Sequence, residues 1–245
     1  MSKDLAFGIR AVIETMRAGK EIDKLLVQKD LGAGENFAEL LEVAKERHVF
    51  VQRVAKERLD YITRKNHQGV IAFVSAVNYA QLHNVVSSAY ERGETPLILI
   101  LDRITDVRNF GAIARAAECS GVHAIVIPVK GAAQINADAV KTSSGALNFM
   151  PVCREADLVH TVNFLQSSGI QVFACTEKAA TVLYQADMSG PAAVILGSEE
   201  DGISDELLRK ADAMVKIPMS GKIGSLNVSV SAGVVLYETV RQRAK

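Results

Sequence analysis

The runs Leu97–Leu101 (LILIL) and Ala192–Leu196 (AAVIL) carry no polar side chain at all. A strand with one wet face alternates polar and apolar residues, whereas a strand that is apolar at every position must be covered on both faces. Further short apolar segments lie at His123–Pro128, Ile170–Cys175 and Ala213–Ile217. Helical patterns separate them, at Ala112–Ser120, Asp157–Ser167 and Asp205–Ala211, with a final helix reaching Arg243. Strands alternating with helices predict an α/β fold, a parallel sheet with helices on both sides. In open sheets of this kind ligands bind beyond the carboxyl ends of the strands. The loops that follow the apolar runs are therefore the places to look for chemistry.

The first part of the chain reads as a smaller α/β unit. Phe7–Met16 has helical apolar spacing and ends at Gly19, and Ile22–Val27 is a strand. Asn36 is placed to cap a helix through about Arg47. Val49–Val51 reads as a strand, Val54–Tyr61 as a helix and Gly69–Val74 as a closing strand. These elements define a domain over residues 1–75. Residues 76–96, punctuated by Gly93 and Pro96, read as a linker containing a helix, and residues 97–245 as the larger domain. "GAGENF" at Gly32–Phe37 begins like a dinucleotide fingerprint but lacks its third glycine, so it reads as a loop before a helix.

Composition narrows the function classes. Of 245 residues 49% are hydrophobic, so the chain can bury a core, and 28 Lys+Arg balance 28 Asp+Glu. Zero net charge neither indicates nor excludes nucleic acid, because binding needs only a local basic patch. One such stretch exists: Lys45–Lys65 holds seven Lys/Arg against three acidic residues, either a solvated helix face or a phosphate-contacting patch. Cys119, Cys153 and Cys175 fit no zinc spacing, and their odd number indicates reduced thiols in a cytoplasmic protein. Met1–Asp4 leads straight into an amphipathic segment rather than a signal peptide, and no apolar run approaches membrane-spanning length.

Three loops carry the candidate chemistry. In Leu97–Pro128 an apolar strand ends in the polar loop Asp102–Asn109, and a helix opens around Gly111, which permits close backbone approach. Arg115 stands among small residues. On its own it reads as a surface cation paired with a carboxylate, and the alternative has it projecting into a cleft. In Ala192–Ser204 a buried strand ends at Gly197 and is followed by Glu199, Glu200 and Asp201. These carboxylates either complement a helix dipole or line a nucleoside-binding loop. The third stretch, "IPMSGKIGSLNVSVSAGVVLYE" (Ile217–Glu238), opens as a loop and then alternates small polar and apolar residues over Ser225–Gly233. Period two reads as a strand, yet Val228, Ala232 and Val235 also share a helical face.

"NFGAIARAAE" (Asn109–Glu118), "LGSEEDGIS" (Leu196–Ser204) and Ile217–Glu238, in this order and each after a strand, resemble the SpoU/TrmH family of RNA ribose 2'-O-methyltransferases in the SPOUT superfamily. "FGIRAVIETM" and "HQGVIA" in the first part resemble the small substrate-binding domain of the bacterial 23S rRNA guanosine 2'-O-methyltransferase branch, a domain similar to ribosomal proteins of the L30e type. The chain departs from the family pattern at Val107, where many members have Pro, and at Glu200, where many have Gly.

The resemblance implies a trefoil-knotted methyltransferase domain, a homodimer whose interface helps build the active site, and S-adenosyl-L-methionine as methyl donor. It implies a donor pocket at Gly197, Ile217 and Leu226, with Thr176 at a neighbouring strand end, and a catalytic set of Asn109, Arg115, Glu199, Ser225 and Asn227. It also turns Ser225–Asn227 into a loop, followed from about Val228 by a helix that Asn227 is suited to cap. A sulfonium carries an activated methyl, so the reaction needs no metal, but a ribose hydroxyl is a weak nucleophile until its proton is accepted. The family casts Arg115 as that base. A guanidinium holds its proton tightly, so orienting phosphate and ribose is the other role open to it. A guanosine of 23S rRNA is the implied acceptor. The competing functions are tRNA ribose methylation and RNA binding without catalysis, and no complete glycine-rich fingerprint supports an oxidoreductase.

Overall fold

The structure is a computed structural model that describes residues 5–32 and 34–244. Met1–Asp4, which read as leading into the first helix, lie outside the described residues. The chain forms two compact units, Met1–Asn78 with Gln134–Ala137 and Tyr79–Ala133 with Asp138–Lys245.

The smaller unit runs β1 (Leu5–Phe7), α1 (Ile9–Arg17), β2 (Ile22–Gln28), α2 (Glu35–Glu46), β3 (Val51–Val54), α3 (Lys56–Ile62) and β4 (Val70–Val74). Its sheet has the order β1-β4-β2-β3, with β2 and β3 parallel and the other pairs antiparallel. On one face Val12, Ile13 and Met16 of α1 and Phe37, Leu40 and Ala44 of α2 pack with Leu25 and Val27 of β2. The alternate residue of β2, Leu26, faces Leu59 of the short α3 with Val54 and Ile71. Asn36 lies inside α2, whose N-cap is Gly34, so the helix begins earlier than its best capping residue suggests. No side-chain cap bond forms there.

The larger unit runs β5 (Tyr79–Ala80), α4 (Leu82–Glu91), β6 (Leu97–Asp102), α5 (Val107–Cys119), β7 (Ala124–Pro128), α6 (Ala137–Thr142), β8 (Val152–Glu155), α7 (Leu158–Ser167), β9 (Gln171–Cys175), β10 (Thr181–Val182), β11 (Ala192–Gly197), α8 (Asp205–Lys210), β12 (Ala213–Lys216) and α9 (Val228–Arg243). Its eight-stranded sheet has the order β10-β12-β9-β11-β6-β7-β8-β5, and every pairing is parallel. All six residues of β6 are buried. Ile98 and Ile100 meet Leu82 and Val86 of α4, Val162 and Leu165 of α7 and Leu207 of α8, and Leu97, Leu99 and Leu101 alternate to the opposite face. This is the two-sided burial that the apolar runs require.

Residues 76–96 do not act as a free linker. Tyr79–Ala80 pairs with β8, and Leu82 and Val86 of α4 enter the core of the larger unit, because their apolar side chains have a sheet face to cover. The stretch Ser225–Gly233 is not a strand. Asn227 is the N-cap of α9, and its side-chain oxygen accepts the Ser229 N–H at 2.9 Å. The helical face of Val228, Ala232 and Val235 is the buried one.

Candidate active site

The three candidate loops converge beyond the carboxyl ends of β6 and β11, which run in register from Ala192↔Leu97 to Gly197↔Asp102. Asp106 caps α5 by accepting the Asn109 N–H at 2.7 Å and so places Asn109 in the first turn. Val107 is the first helical residue, a position where proline is tolerated because its N–H has no partner in the helix, so a Pro here is compatible with the same helix start. A Cβ on Gly111 would stand 2.7 Å from Thr142 Cβ and 2.8 Å from the Ala139 carbonyl, so only glycine lets α5 approach α6 this closely.

Gly197 is under the same constraint. A Cβ there would fall on the Gly202 carbonyl carbon and the Ile203 nitrogen. The loop Ser198–Ile203 therefore folds directly back over the end of β11. It is closed by Gly202 N–H donating to Ser198 O at 3.0 Å and Asp201 N–H donating to Ser198 Oγ at 3.1 Å. At its tip, Glu199 Oε1 accepts from Asn227 Nδ2 at 2.6 Å, Asn109 Nδ2 at 3.2 Å and the Val228 N–H at 3.4 Å. Asn227 Nδ2 also donates to Asn109 Oδ1 at 3.0 Å. The helix cap fixes which way the Asn227 amide points: its oxygen faces Ser229, so its nitrogen must face Glu199. One carboxylate thus ties together the three loops, which lie far apart in sequence.

Behind this cluster opens a cavity of about 1220 Å³. Its wall includes Thr176, Gly197, Ile217 and Leu226, together with Glu199, Ser225 and Asn227. All four expected donor-binding residues and three of the five expected catalytic residues line it. Asn109 reaches it only through its bonds to Glu199 and Asn227. Glu200 lines the cavity too and is exposed, so the departure from Gly puts a carboxylate at the opening. Glu177, Lys178 and Lys216 also face it. They were not singled out in the sequence, where nothing but their place at or just after a strand end marks them. Burial, aided by the Glu177 carboxylate, pushes the Cys175 thiol up to about 11, so the wall presents a neutral thiol rather than a nucleophilic thiolate.

Arg115 stands apart. It is exposed and does not line the cavity. Six residues at about 100° each carry it about 240° around α5 from Asn109, onto a different side of the helix. Among the described residues no group of three or more His, Cys, Asp or Glu could hold a metal ion, and no helix is long and apolar enough to cross a membrane.

Residues 96–237 match the SpoU rRNA methylase family. The chain belongs to that family. Residues 5–80 match the RNA 2'-O ribose methyltransferase substrate-binding domain, and with both matches this SpoU protein is an RNA 2'-O-methyltransferase. It is 36% identical to YacO of Bacillus subtilis, a TrmH family protein, over 98% of this chain and 96% of that one. It is 35% identical to the 23S rRNA (guanosine-2'-O-)-methyltransferase RlmB of Photobacterium profundum, over 99% of both chains. The SpoU methyltransferase AviRb of Streptomyces viridochromogenes, solved in complex with AdoMet, shares the fold with a TM-score of 0.62 at 24% identity, covering 98% of this chain and 90% of that one.

Proposed function

We propose that this SpoU protein transfers a methyl group from S-adenosyl-L-methionine to a ribose 2'-hydroxyl of 23S rRNA, on a guanosine, and works as a cytoplasmic homodimer. The Glu199 cluster at the mouth of the cavity carries the reading, because it joins all three motif loops at one point. The cavity suits the donor. Gly197 lets the Ser198–Ile203 loop close against the end of β11 and wall the cavity, Leu196, Ile217 and Leu226 offer apolar contact, and Thr176 and Ser225 offer hydroxyls. When bound, the donor supplies an electrophilic methyl on a sulfonium.

The chain's own residues hold the acceptor. Glu199 keeps the amides of Asn109 and Asn227 facing each other, and Leu226 and Ser225 sit beside them on the loop leading into α9. Arg115 orients the RNA phosphate and ribose, and positioning of this kind can remove several kcal/mol of barrier. Its exposure, outside the cavity lining and on a different side of α5 from Asn109, favours the dimer: a second copy brings Arg115 to the first copy's cavity. Val230 and Tyr237 of α9, about half exposed, offer apolar surface for that contact, and α9 packs on α5. The family's trefoil knot belongs to the same reading, as the path that returns Ile217–Asn227 to the cavity. RlmB, alike over its full length, favours 23S rRNA as the substrate. In the smaller unit Tyr61, 92% exposed, stands beside Arg58, Arg64 and Lys65, within the basic stretch Lys45–Lys65, and offers RNA both stacking and phosphate contacts.

The test is incubation with labelled donor and rRNA or tRNA, followed by mass-spectrometric mapping of the modified nucleotide. A 2'-O-methylguanosine in 23S rRNA is expected. A modified tRNA nucleotide would replace the substrate, and no transfer to any RNA would overturn the reading. Arg115→Ala should abolish transfer while calorimetric donor affinity survives.

A further inference from the structure

We infer that Arg103 is a positioning residue for methyl transfer, a clamp that holds the Glu199 loop in its working geometry; this rests on the methyltransferase reading. Arg103 follows directly on β6 with φ at 59°, a left-handed conformation that glycine adopts freely and a β-carbon residue does not. The strain persists only where the surroundings over-determine it. Here the side chain supplies that determination. Its Nε donates to Asp102 Oδ1 at 3.3 Å, one terminal nitrogen to Asp201 Oδ2 at 3.3 Å and the other to the Gly202 carbonyl at 3.1 Å.

One guanidinium therefore joins a buried carboxylate at the end of β6 to two consecutive residues of the loop after β11. Asp102 is 5% exposed, and its second oxygen accepts the Ser204 N–H at 2.7 Å. The loop is pinned from both sides of Ile203, itself buried. Its tip is Glu199 and Glu200, the first of which gathers the Asn109 and Asn227 amides. Loosening the base of so short a loop moves its tip, and a small displacement of a positioning group costs orders of magnitude in rate. Lysine cannot replace this arginine, because a single ammonium lacks the fork that reaches all three acceptors.

The strain gives the test its power, because Arg103→Gly relaxes the backbone while it removes the clamp. Wild type and Arg103→Gly are compared in one labelled-donor assay with saturating RNA and donor, alongside thermal melts and amide exchange. The variant should melt at or above the wild-type temperature, lose protection at the Ser204 amide, and turn over at least about tenfold more slowly. Arg103→Lys, still strained, should lose turnover and melt lower. Turnover of Arg103→Gly within about twofold of wild type would overturn the inference, as would a loss accounted for entirely by unfolded protein. Absence of transfer by the wild type in the same assay would instead overturn the methyltransferase reading. The Ser204 exchange readout needs no activity, and unchanged protection in the variant would still refute the clamp.

Discussion

Asn227 serves two elements at once, capping α9 through its oxygen and linking Glu199 to Asn109 through its nitrogen. Asn227→Ala should therefore cost stability and activity together: about 1 kcal/mol in a denaturant melt from the lost cap, and transfer in the labelled-donor assay well beyond what that destabilisation explains. Activity lost only in proportion to unfolding would reduce Asn227 to a cap. The cysteines give a second residue-level expectation. Burial raises Cys175 from an ordinary 9.0 to about 11 and Cys153 to about 12. With so little thiolate at about pH 8, both should alkylate far more slowly than the exposed Cys119, as peptide mapping after iodoacetamide would show. The folded state holds the Cys175 proton over a window in which the unfolded chain releases it. Stability from this group is full below about 9 and falls as pH rises toward about 11.

At the scale of elements, α9 does more than bury an apolar stripe. Arg243 in its last turn donates to the carbonyls of Thr95, Pro96, Met188 and Gly190, which staples the C-terminal helix to the segments leading into β6 and β11. Arg243→Ala leaves those carbonyls short of a charged donor and should lower unfolding free energy by about 2 kcal/mol in urea, with donor affinity per folded molecule unchanged. In the smaller unit, α3 and the residues after it carry the exposed Arg58, Tyr61, Arg64 and Lys65. Replacing all three with Ala should weaken RNA binding and flatten the plot of log affinity against log salt by about 2, given roughly 0.7 per neutralised phosphate of single-stranded RNA. An unchanged slope would take this surface out of the RNA contact.

The whole molecule decides where Arg115 acts. If it serves the partner's cavity, Arg115→Ala and Asn227→Ala chains, each inactive alone, should recover about a quarter of wild-type transfer when mixed and allowed to exchange. Half of the dimers are then mixed, and each mixed dimer has one complete site. No recovery despite verified subunit exchange would place Arg115 in its own chain's site. Sedimentation of the wild type should give a two-chain species, and Tyr237→Lys should shift it toward one chain.

Much of this was legible in the chain itself. The unbroken apolar runs at Leu97–Leu101 and Ala192–Leu196 demand a sheet covered on both faces, a local statement about which side chains must leave water. The motif loops follow strand ends, so their place at the carboxyl edge came with the strands. Less visible were β8, whose short VCRE mixes polar and apolar residues, and the packing of residues 79–91 into the larger unit, because both depend on neighbours distant in sequence. Periodicity alone could not settle Ser225–Gly233, which fits a period of two and a period of about 3.6. The choice fell to Glu199 and the sheet, which reward a capped helix there. Tertiary structure alone also decided that one carboxylate holds two amides from separate loops, that Arg103 bends into a left-handed turn to reach Asp201, and that Arg115 is exposed and outside the cavity lining. These outcomes depend on which distant atoms come within hydrogen-bonding reach, and a linear pattern of residue types does not encode that distance.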